Sequence, residues 1–202
     1  FMVKDQEFYS DVAKVSLKID AVNDTPTVTT FQANMKEDTD SLISLKGVDV
    51  EGDALEFKIT DLPTQGKLFK MEPGRSKGDM LKSAGEVDSM LWYVPNKNYF
   101  GSDSIGIVVY DGKTLSDTSF IIFSIENIND PPSAKPLVAK EVDEDSQIVL
   151  ELNASDIDNS ILVLTLLKEP ANGKIYQMAN DMTNGYVIGA GDTITHSQRY
   201  VI

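Results

Sequence analysis

The chain has 202 residues, 41% of them hydrophobic, and its 32 acidic and 18 basic residues give a formal net charge of −14. This acidic balance argues against nucleic acid or an anionic membrane as a partner, because phosphate groups would be repelled. The sequence has no cysteine, which excludes disulfides, zinc–thiolate sites and cysteine nucleophiles, and no run approaches the ~18 apolar residues of a membrane-spanning helix.

Alternating apolar and polar residues predict an all-β fold. Leu55, Phe57 and Ile59, for example, are separated by polar residues, which is typical of a half-buried strand. Turn signals such as "TQG", "PNKN" and "DGK" separate several of these runs. About seven short strands in about 105 residues, without a helical pattern, indicate an immunoglobulin-like Greek-key β-sandwich. The predicted strands lie near 27–34, 41–46, 54–60, 67–71, 89–94, 104–110 and 117–126.

Two features of this predicted sandwich need a separate interpretation. Trp92 lies on the fifth strand, and we expect it to pack in the core rather than to contact a ligand. Residues 71–88, "MEPGRSKGDMLKSAGEVD", form the longest stretch without a strand pattern and are locally rich in Lys and Arg. This stretch is either a solvent-exposed variable loop or a binding loop.

The sequence repeats itself with a period of about 107 residues. Residues 3–26 align without a gap with 109–132, and residues 37–69 align with 144–176. The phrases "VNDTP" and "INDPP" occupy the same place in the two copies. The predicted organisation is therefore the C-terminal strands of a preceding repeat (1–24), a complete repeat (25–130) and the N-terminal part of a following, incomplete repeat (131–202).

Acidic and amide side chains gather in the predicted loops, which lie at the two ends of a sandwich. Calcium takes about six to eight oxygen ligands, more than one short loop supplies, so two abutting ends and a linker are the expected source. Turn chemistry also favours Asp, Asn and Gly at such places. It explains less well why Glu37 and Asp49 both recur, as Glu144 and Asp156, at the aligned positions.

The phrases "VNDTP", "DVEGDALEF", "YVPNKNYFGSDS" and "VVYDGKTLSD" are similar to the recurrent wording of cadherin-like tandem repeats, of the long-array type found in large surface adhesins. The resemblance covers essentially the whole chain. It implies one Greek-key sandwich per repeat, repeats joined end to end, calcium at the junctions and no catalysis. The single histidine, His196, is accordingly not expected to be catalytic.

Position by position, the resemblance implies calcium ligands at two junctions. Ala21 and Asn127 stand where the family has acidic residues, and Asn96-x-Asn98 replaces an Asp-x-Glu pair. Fewer charges mean weaker or fewer ions, so we expect one or two ions per junction, and a metal-free junction stays open. The implied ligands are Asn23, Asp24, Asp49 and Glu51 at the upstream junction, and Glu37 (with its copy Glu144), Asn96, Asn98, Asn127, Asn129, Asp130, Asp156 and Asp158 at the downstream junction.

These observations favour a non-catalytic, extracellular or cell-surface array that calcium stiffens, acting in adhesion or as a spacer. The expected partners are neighbouring repeats of the same chain, other surface proteins or glycans. Two alternatives stay open. One is a carbohydrate-binding module that uses 71–88 or the aromatic pair Tyr99 and Phe100. The other is a filament subunit in which residues 1–24 of one copy complete the last sandwich of another by strand addition.

Overall fold

The computed structural model describes residues 1–137, 141–178, 184–194 and 200–201. This part of the chain divides into two compact units, Phe1–Asn127 and Ile128–Ile202. The described residues are strands and connections apart from one 3-10 turn, Pro73–Arg75, and none of them forms a helix with the length and apolar character of a membrane span. The predicted all-β class is therefore confirmed, whereas the residue-level repeat boundaries stay predictions.

The first unit contains two main sheets. One has five strands in the order β2-β11-β10-β5-β8, and the other has four in the order β3-β9-β6-β7. Neighbouring strands are antiparallel, except that β2 pairs parallel with β11. The strands are β1 (Thr27–Val28), β2 (Gln32–Lys36), β3 (Ser41–Ser44), β4 (Gly47–Val48), β5 (Glu56–Asp61), β6 (Gly66–Glu72), β7 (Ser76–Met80), β8 (Gly85–Val87), β9 (Met90–Pro95), β10 (Gly101–Tyr110) and β11 (Ser119–Glu126).

One hydrophobic core joins the two sheets, as the period-two pattern predicts. Ile121, Phe123 and Ile125 of β11 all point into it. The ring of Phe123 stacks on that of Tyr93 from the opposite sheet, with centroids 4.0 Å apart and planes 16° apart. Such an aromatic pair contributes about 0.5–1.5 kcal/mol beyond the area that it buries, so this contact is a main link between the sheets.

Trp92 is not in the core, contrary to the prediction. On β9 the side chains of Leu91, Tyr93 and Pro95 are buried, so Trp92 lies on the other face of the strand and is half-buried. Successive residues of a strand point to opposite faces, and Tyr93 has the inward position.

The predicted first strand, 27–34, is two strands in the structure. β1 pairs with β4 in a separate two-stranded sheet, whereas β2 pairs with β11 in the five-stranded sheet. The chain crosses between the sheets at the residues between them. The apolar pattern alone does not show this change of partner, because both segments keep a period of two.

The interpretation of 71–88 as a stretch without strands is wrong. β6 continues to Glu72, the chain turns where Gly74 and Arg75 have φ of 82° and 67°, and β7 runs back along β6. β8 then pairs with β5 at the edge of the other sheet. The pattern misses β7 because none of its residues is buried on either face, so no alternation appears in the sequence.

Asp103 is a buried carboxylate that fastens the loop before β6 to the start of β10. Its Oδ1 accepts hydrogen bonds from the backbone N–H groups of Thr64 at 3.0 Å and Ser104 at 2.9 Å. Its Oδ2 accepts from the N–H of Gln65 and the hydroxyl of Tyr93, both at 2.9 Å. Burial raises the pKa of Tyr93, and the bond to Asp103 raises it further, so the phenol stays a donor.

We expect Gly66→Ala to destabilise the first unit by about 1–3 kcal/mol, the usual cost of overpacking. A Cβ at residue 66 would lie 2.5 Å from the Tyr93 ring, which is held between Phe123 and Asp103 and cannot move away freely. Urea unfolding followed by Trp92 fluorescence measures this, since Trp92 is the single tryptophan of the chain. Lys67→Ala, at the exposed next position, is the control, and equal midpoints for the two variants would contradict the expectation.

The second unit has shorter strands and a smaller described core. Ile188 and Ile194 are buried, with Leu152, Leu164 and Ile175 packed against them. The pairing of β12 with β14 repeats that of β1 with β4 at the aligned positions. The strands are β12 (Ser133–Ala134), β13 (Leu150–Glu151), β14 (Ala154–Ser155), β15 (Leu164–Thr165), β16 (Ile175–Met178), β17 (Asn184–Ile188), β18 (Thr193–Ile194) and β19 (Tyr200–Val201).

The first turn of the chain has the same hydrogen bonds as the turn that follows β10. Oδ1 of Asp5 accepts from the N–H groups two and three residues later, and so does Oδ1 of Asp111. Oγ of Ser10 accepts from the N–H seven residues earlier at 3.0 Å, as does Oγ of Ser116. The aligned sequences thus form the same turn. Residues 10–22 form no strand, and their apolar side chains are exposed.

Candidate functional site

The pairing of β10 with β11 defines two ends of the complete sandwich. At one end Ile107 is opposite Ser119, and at the other Gly101 is opposite Ile125. We name the first the upper end, formed by the linker at 23–24, the loop 49–53 and the turn 111–114. The lower end is formed by 37–38, 96–98 and 126–127. The predicted ligands of the first unit divide between them: Asn23, Asp24, Asp49 and Glu51 lie at the upper end, and Glu37, Asn96, Asn98 and Asn127 at the lower end.

At the upper end the linker is tied to the sandwich by its own polar groups. Nδ2 of Asn23 donates to Oδ2 of Asp111 at 2.8 Å, and to the carbonyl of Asp24 at 3.0 Å. The backbone N–H of Asp24 donates to Oε2 of Glu51 at 3.1 Å. Two of the predicted ligands, Asp24 and Glu51, are therefore brought together through a backbone group.

The predicted set misses three residues of the upper end: Asp53, Asp111 and Lys113. The Lys113 ammonium donates to Oδ2 of Asp53 at 2.8 Å and to Oδ1 of Asn23 at 2.9 Å. The hydrogen bond to Asp53 raises the pKa of Lys113, partly opposed by burial, and the carboxylates of Asp53, Asp111 and Glu51 add to the rise. The signals available in the sequence are the last aspartate of "DVEGD" and the "DGK" motif, which by itself indicates only a turn.

Asp111 is a buried carboxylate at the centre of the upper end. Burial disfavours its charged form. Hydrogen bonds from Asn23 and from the N–H groups of Thr114 and Lys113, at 2.6–2.8 Å, outweigh that effect and hold the pKa of Asp111 well below its usual range. This group is therefore a fixed negative charge.

Asp49 has one satisfied and one unsatisfied oxygen. Its Oδ1 accepts from the N–H of Asp53 at 2.8 Å, whereas Oδ2 is buried and has no hydrogen-bond donor among the residues that the structure describes. Leaving a buried acceptor unpaired costs about 1–3 kcal/mol, more for a charged group. A cation is the natural partner of such an oxygen.

The lower end contains a second unsatisfied oxygen. Asn98 has a left-handed backbone with φ of 56°, and its N–H donates to Oδ1 of Asp38 at 2.8 Å. Its Oδ1 is buried without a donor from the described ranges. Glu37 beside it is buried with 5% of its surface exposed, whereas Asn96 and Asn127 are exposed.

The second unit repeats the linker geometry of the first. Nδ2 of Asn129 donates to the carbonyl of Asp130 at 3.0 Å, as Asn23 does to its neighbour. The N–H of Asp130 donates to Oδ2 of Asp158 at 2.6 Å, which matches the bond from the linker to Glu51. Oδ2 of Asp130 is buried, and nothing in the described part of the chain donates to it.

The remaining predicted ligands of the second unit lie in turns. Oδ1 of Asp156 accepts from the N–H groups of Asp158 at 2.9 Å and Asn159 at 2.6 Å. Glu144 is exposed in a turn where Asp145 has φ of 59°, and the aligned Asp38 has φ of 53°. The structure thus brings together Asn129, Asp130, Asp156 and Asp158 through a chain of bonds that does not include Glu144.

The two ends of the sandwich and the linker of the second unit have some of the features of a cation site. Across the described ranges no group of three or more Asp, Glu, His or Cys side chains is already arranged to hold a metal, and His196 lies outside those ranges. At these places, three buried oxygens without a donor among the described residues, on Asp49, Asn98 and Asp130, are nevertheless carboxylate and amide oxygens, the ligands that calcium takes. Calcium binding therefore stays a prediction that these oxygens support.

The aromatic pair proposed for glycan binding is partly used in packing. Tyr99 packs against the hydrophobic core, and its hydroxyl donates to the carbonyl of Ser102 at 2.9 Å. Phe100 is 52% exposed. The Tyr99 ring is therefore a structural corner of the sandwich, which weakens the glycan alternative without testing it.

Comparison with known proteins identifies relatives of this sandwich. The family model described as bacterial Ig domain matches residues 23–124. Three curated proteins of Dictyostelium discoideum are also similar. Integrin beta-like protein A is 26% identical over 215 residues (100% of this chain, 11% of that protein), protein B 25% over 158 residues (74% and 8%) and protein C 21% over 182 residues (87% and 9%). The chain thus spans about a tenth of the length of these relatives.

Proposed function

The chain belongs to the bacterial Ig domain family, and on this basis we propose that it is a non-catalytic repeat segment of an extracellular, adhesion-type surface protein. The relatives' printed name, integrin beta-like, supports the adhesion-type role and the surface location. We propose further that the repeats are cadherin-like, that calcium binds at their ends, and that this binding stiffens the array.

The observation that carries the calcium proposal is the repeated linker. In both units a linker asparagine bonds its neighbour's carbonyl, and the N–H of the following aspartate bonds a loop carboxylate. In the second unit the linker aspartate, Asp130, also keeps a buried oxygen without a donor among the described residues. Turn chemistry accounts for the first feature, and a bound cation would supply the partner that the oxygen of the second lacks.

Within the second unit the ion would be held by Asp130 and Asp158 with Asn129 and Asp156. The predicted ligands Glu37, Asn96, Asn98 and Asn127 belong to the lower end of the first unit. A divalent ion there would neutralise carboxylates in a chain whose net charge is −14. If it binds only the ordered state, it adds RT ln(1 + [Ca²⁺]/Kd), about 2.7 kcal/mol at a hundredfold excess over Kd. The proposed function of these residues is therefore to order the linker when calcium binds.

Small-angle X-ray scattering of the 202-residue chain tests this function. We expect the maximum dimension to be larger and the distance distribution narrower in calcium than in excess chelator, because an ordered junction restricts bending. Magnesium at the same concentration is the control, since it requires a tighter octahedral site and dehydrates reluctantly. Identical profiles in calcium and chelator would rule out stiffening.

A further inference from the structure

The two linkers satisfy the same asparagine oxygen with different donors. In the second unit, Oδ1 of Asn129 accepts from Nδ2 of Asn159 at 2.8 Å, a neutral amide. In the first unit, Oδ1 of Asn23 accepts from Nζ of Lys113 at 2.9 Å, a full positive charge. The two linker oxygens therefore accept from donors of different charge.

The carboxylates around that point differ in the same sense. The Lys113 ammonium also bonds Asp53 at 2.8 Å, and the charges of Asp111 and Glu51 act on it. The residue aligned with Asp53 in the second unit is Ser160, which carries no charge. The upper end of the first unit thus contains both an additional carboxylate and an ammonium that neutralises it.

We propose that Lys113 is the resident cation of the upper end: its ammonium fastens Asn23 of the linker to Asp53 of the loop without metal, and it keeps calcium out of this end. Asn23 is among the predicted calcium ligands, so a calcium ion that binds its Oδ1 must displace Nζ of Lys113. The exclusion of calcium rests on the proposed function, whereas the fastening of the linker by Lys113 without metal does not.

The other copy of this turn in the sequence has no lysine at the aligned position. The aligned turns at 5–8 and 111–114 have the same aspartate hydrogen bonds, yet Glu7 stands at the position of Lys113. A carboxylate there adds a negative charge instead of removing one. The two copies of the turn that the sequence contains thus carry opposite charges at this position.

Amide exchange of the linker, measured by NMR on the 202-residue chain, tests the proposal. The reporter is the N–H of Asp24, which bonds Glu51. In excess chelator we expect Lys113→Gln to speed its exchange by about two- to fivefold, the size of a partly exposed ion pair. Lys58→Gln, an exposed lysine on β5 with the same change of net charge, is the control and should leave the rate unchanged. Equal rates in the two variants would overturn the proposal.

The same samples with calcium test the exclusion of metal. We expect calcium to slow exchange at Asp24 in Lys113→Gln and to leave it unchanged in the unsubstituted chain. If calcium protects the Asp24 N–H equally in both chains, the ammonium does not keep metal out. If calcium protects it in neither chain, the ammonium does not occupy the place of a metal ion. Either result overturns the proposed exclusion of calcium. Protection of the Asp130 N–H by calcium in the unsubstituted chain tests the proposed function independently. Failure of the calcium proposal can therefore be distinguished from failure of the exclusion by Lys113.

Discussion

Asp103→Ala is expected to lower the free energy of unfolding of the first unit by about 3–5 kcal/mol, because it leaves the buried hydroxyl of Tyr93 and several part-buried donors without an acceptor, and an unpaired buried donor costs about 1–3 kcal/mol. The stranded donors are the hydroxyl of Tyr93 and the N–H groups of Thr64, Gln65 and Ser104. Some of these donors form hydrogen bonds with water that enters the space left by the Asp103 side chain. The expected loss of stability is therefore smaller than the sum of the costs of the single donors. Urea unfolding followed by Trp92 fluorescence measures the loss.

Two further variants separate the contributions to this effect. Tyr93→Phe removes one donor together with its bond and keeps the ring stacked on Phe123, so we expect a loss of only about 1 kcal/mol. Asp79→Ala, at an exposed position of β7, controls for the loss of a carboxylate and should change stability by less than about 0.5 kcal/mol. A loss for Asp103→Ala no larger than that of Tyr93→Phe would show that the carboxylate does not hold the loop.

The effect of Asp130→Ala on the free energy of unfolding is expected to have opposite signs in chelator and in calcium. In chelator the variant should be as stable as the unsubstituted chain or slightly more so, because it removes a buried oxygen to which no described residue donates. In calcium at a hundredfold excess over Kd it should forgo up to about 2.7 kcal/mol of stabilisation, since the ion no longer binds tightly. Thermal unfolding by calorimetry in the two buffers measures both quantities.

The matched control for this variant is Asp117→Ala, an exposed carboxylate just beyond the turn that follows β10. It loses the same charge, so it reports any general effect of calcium on an acidic protein. We expect its calcium-dependent stabilisation to equal that of the unsubstituted chain. A parallel loss in both variants would mean that calcium acts through net charge rather than at Asp130.

The parts of the fold that could be predicted are those whose side chains alternate between core and solvent. The sequence indicates β11 through the alternating apolar residues Ile121, Phe123 and Ile125, because one face of the strand is buried. β7 could not be found in this way, since it is an edge strand without a buried residue. The size and hydrophobicity of Trp92 predict a core position, whereas the register of β9 places Tyr93 inward and Trp92 on the opposite face.

The candidate site was predictable to the extent that it repeats. Asn23 and Asp24 could be singled out because the same pair returns 106 residues later, and the hydrogen bonds of both pairs prove to be alike. Lys113 could not be singled out, because the aligned residue of the other turn is Glu7 and its partner Asp53 is distant in sequence. A charge that differs between repeats leaves no repeated pattern, and only the folded arrangement places it beside the acids.

Isothermal calorimetry of calcium binding to the 202-residue chain and its Asp130→Ala variant tests the central claim most directly. We predict saturable binding of at least one ion to the unsubstituted chain, and binding at least about tenfold weaker in the variant, as removal of a charged ligand implies. The absence of saturable heat from the unsubstituted chain at millimolar calcium, or equal affinity in the variant, would contradict the account.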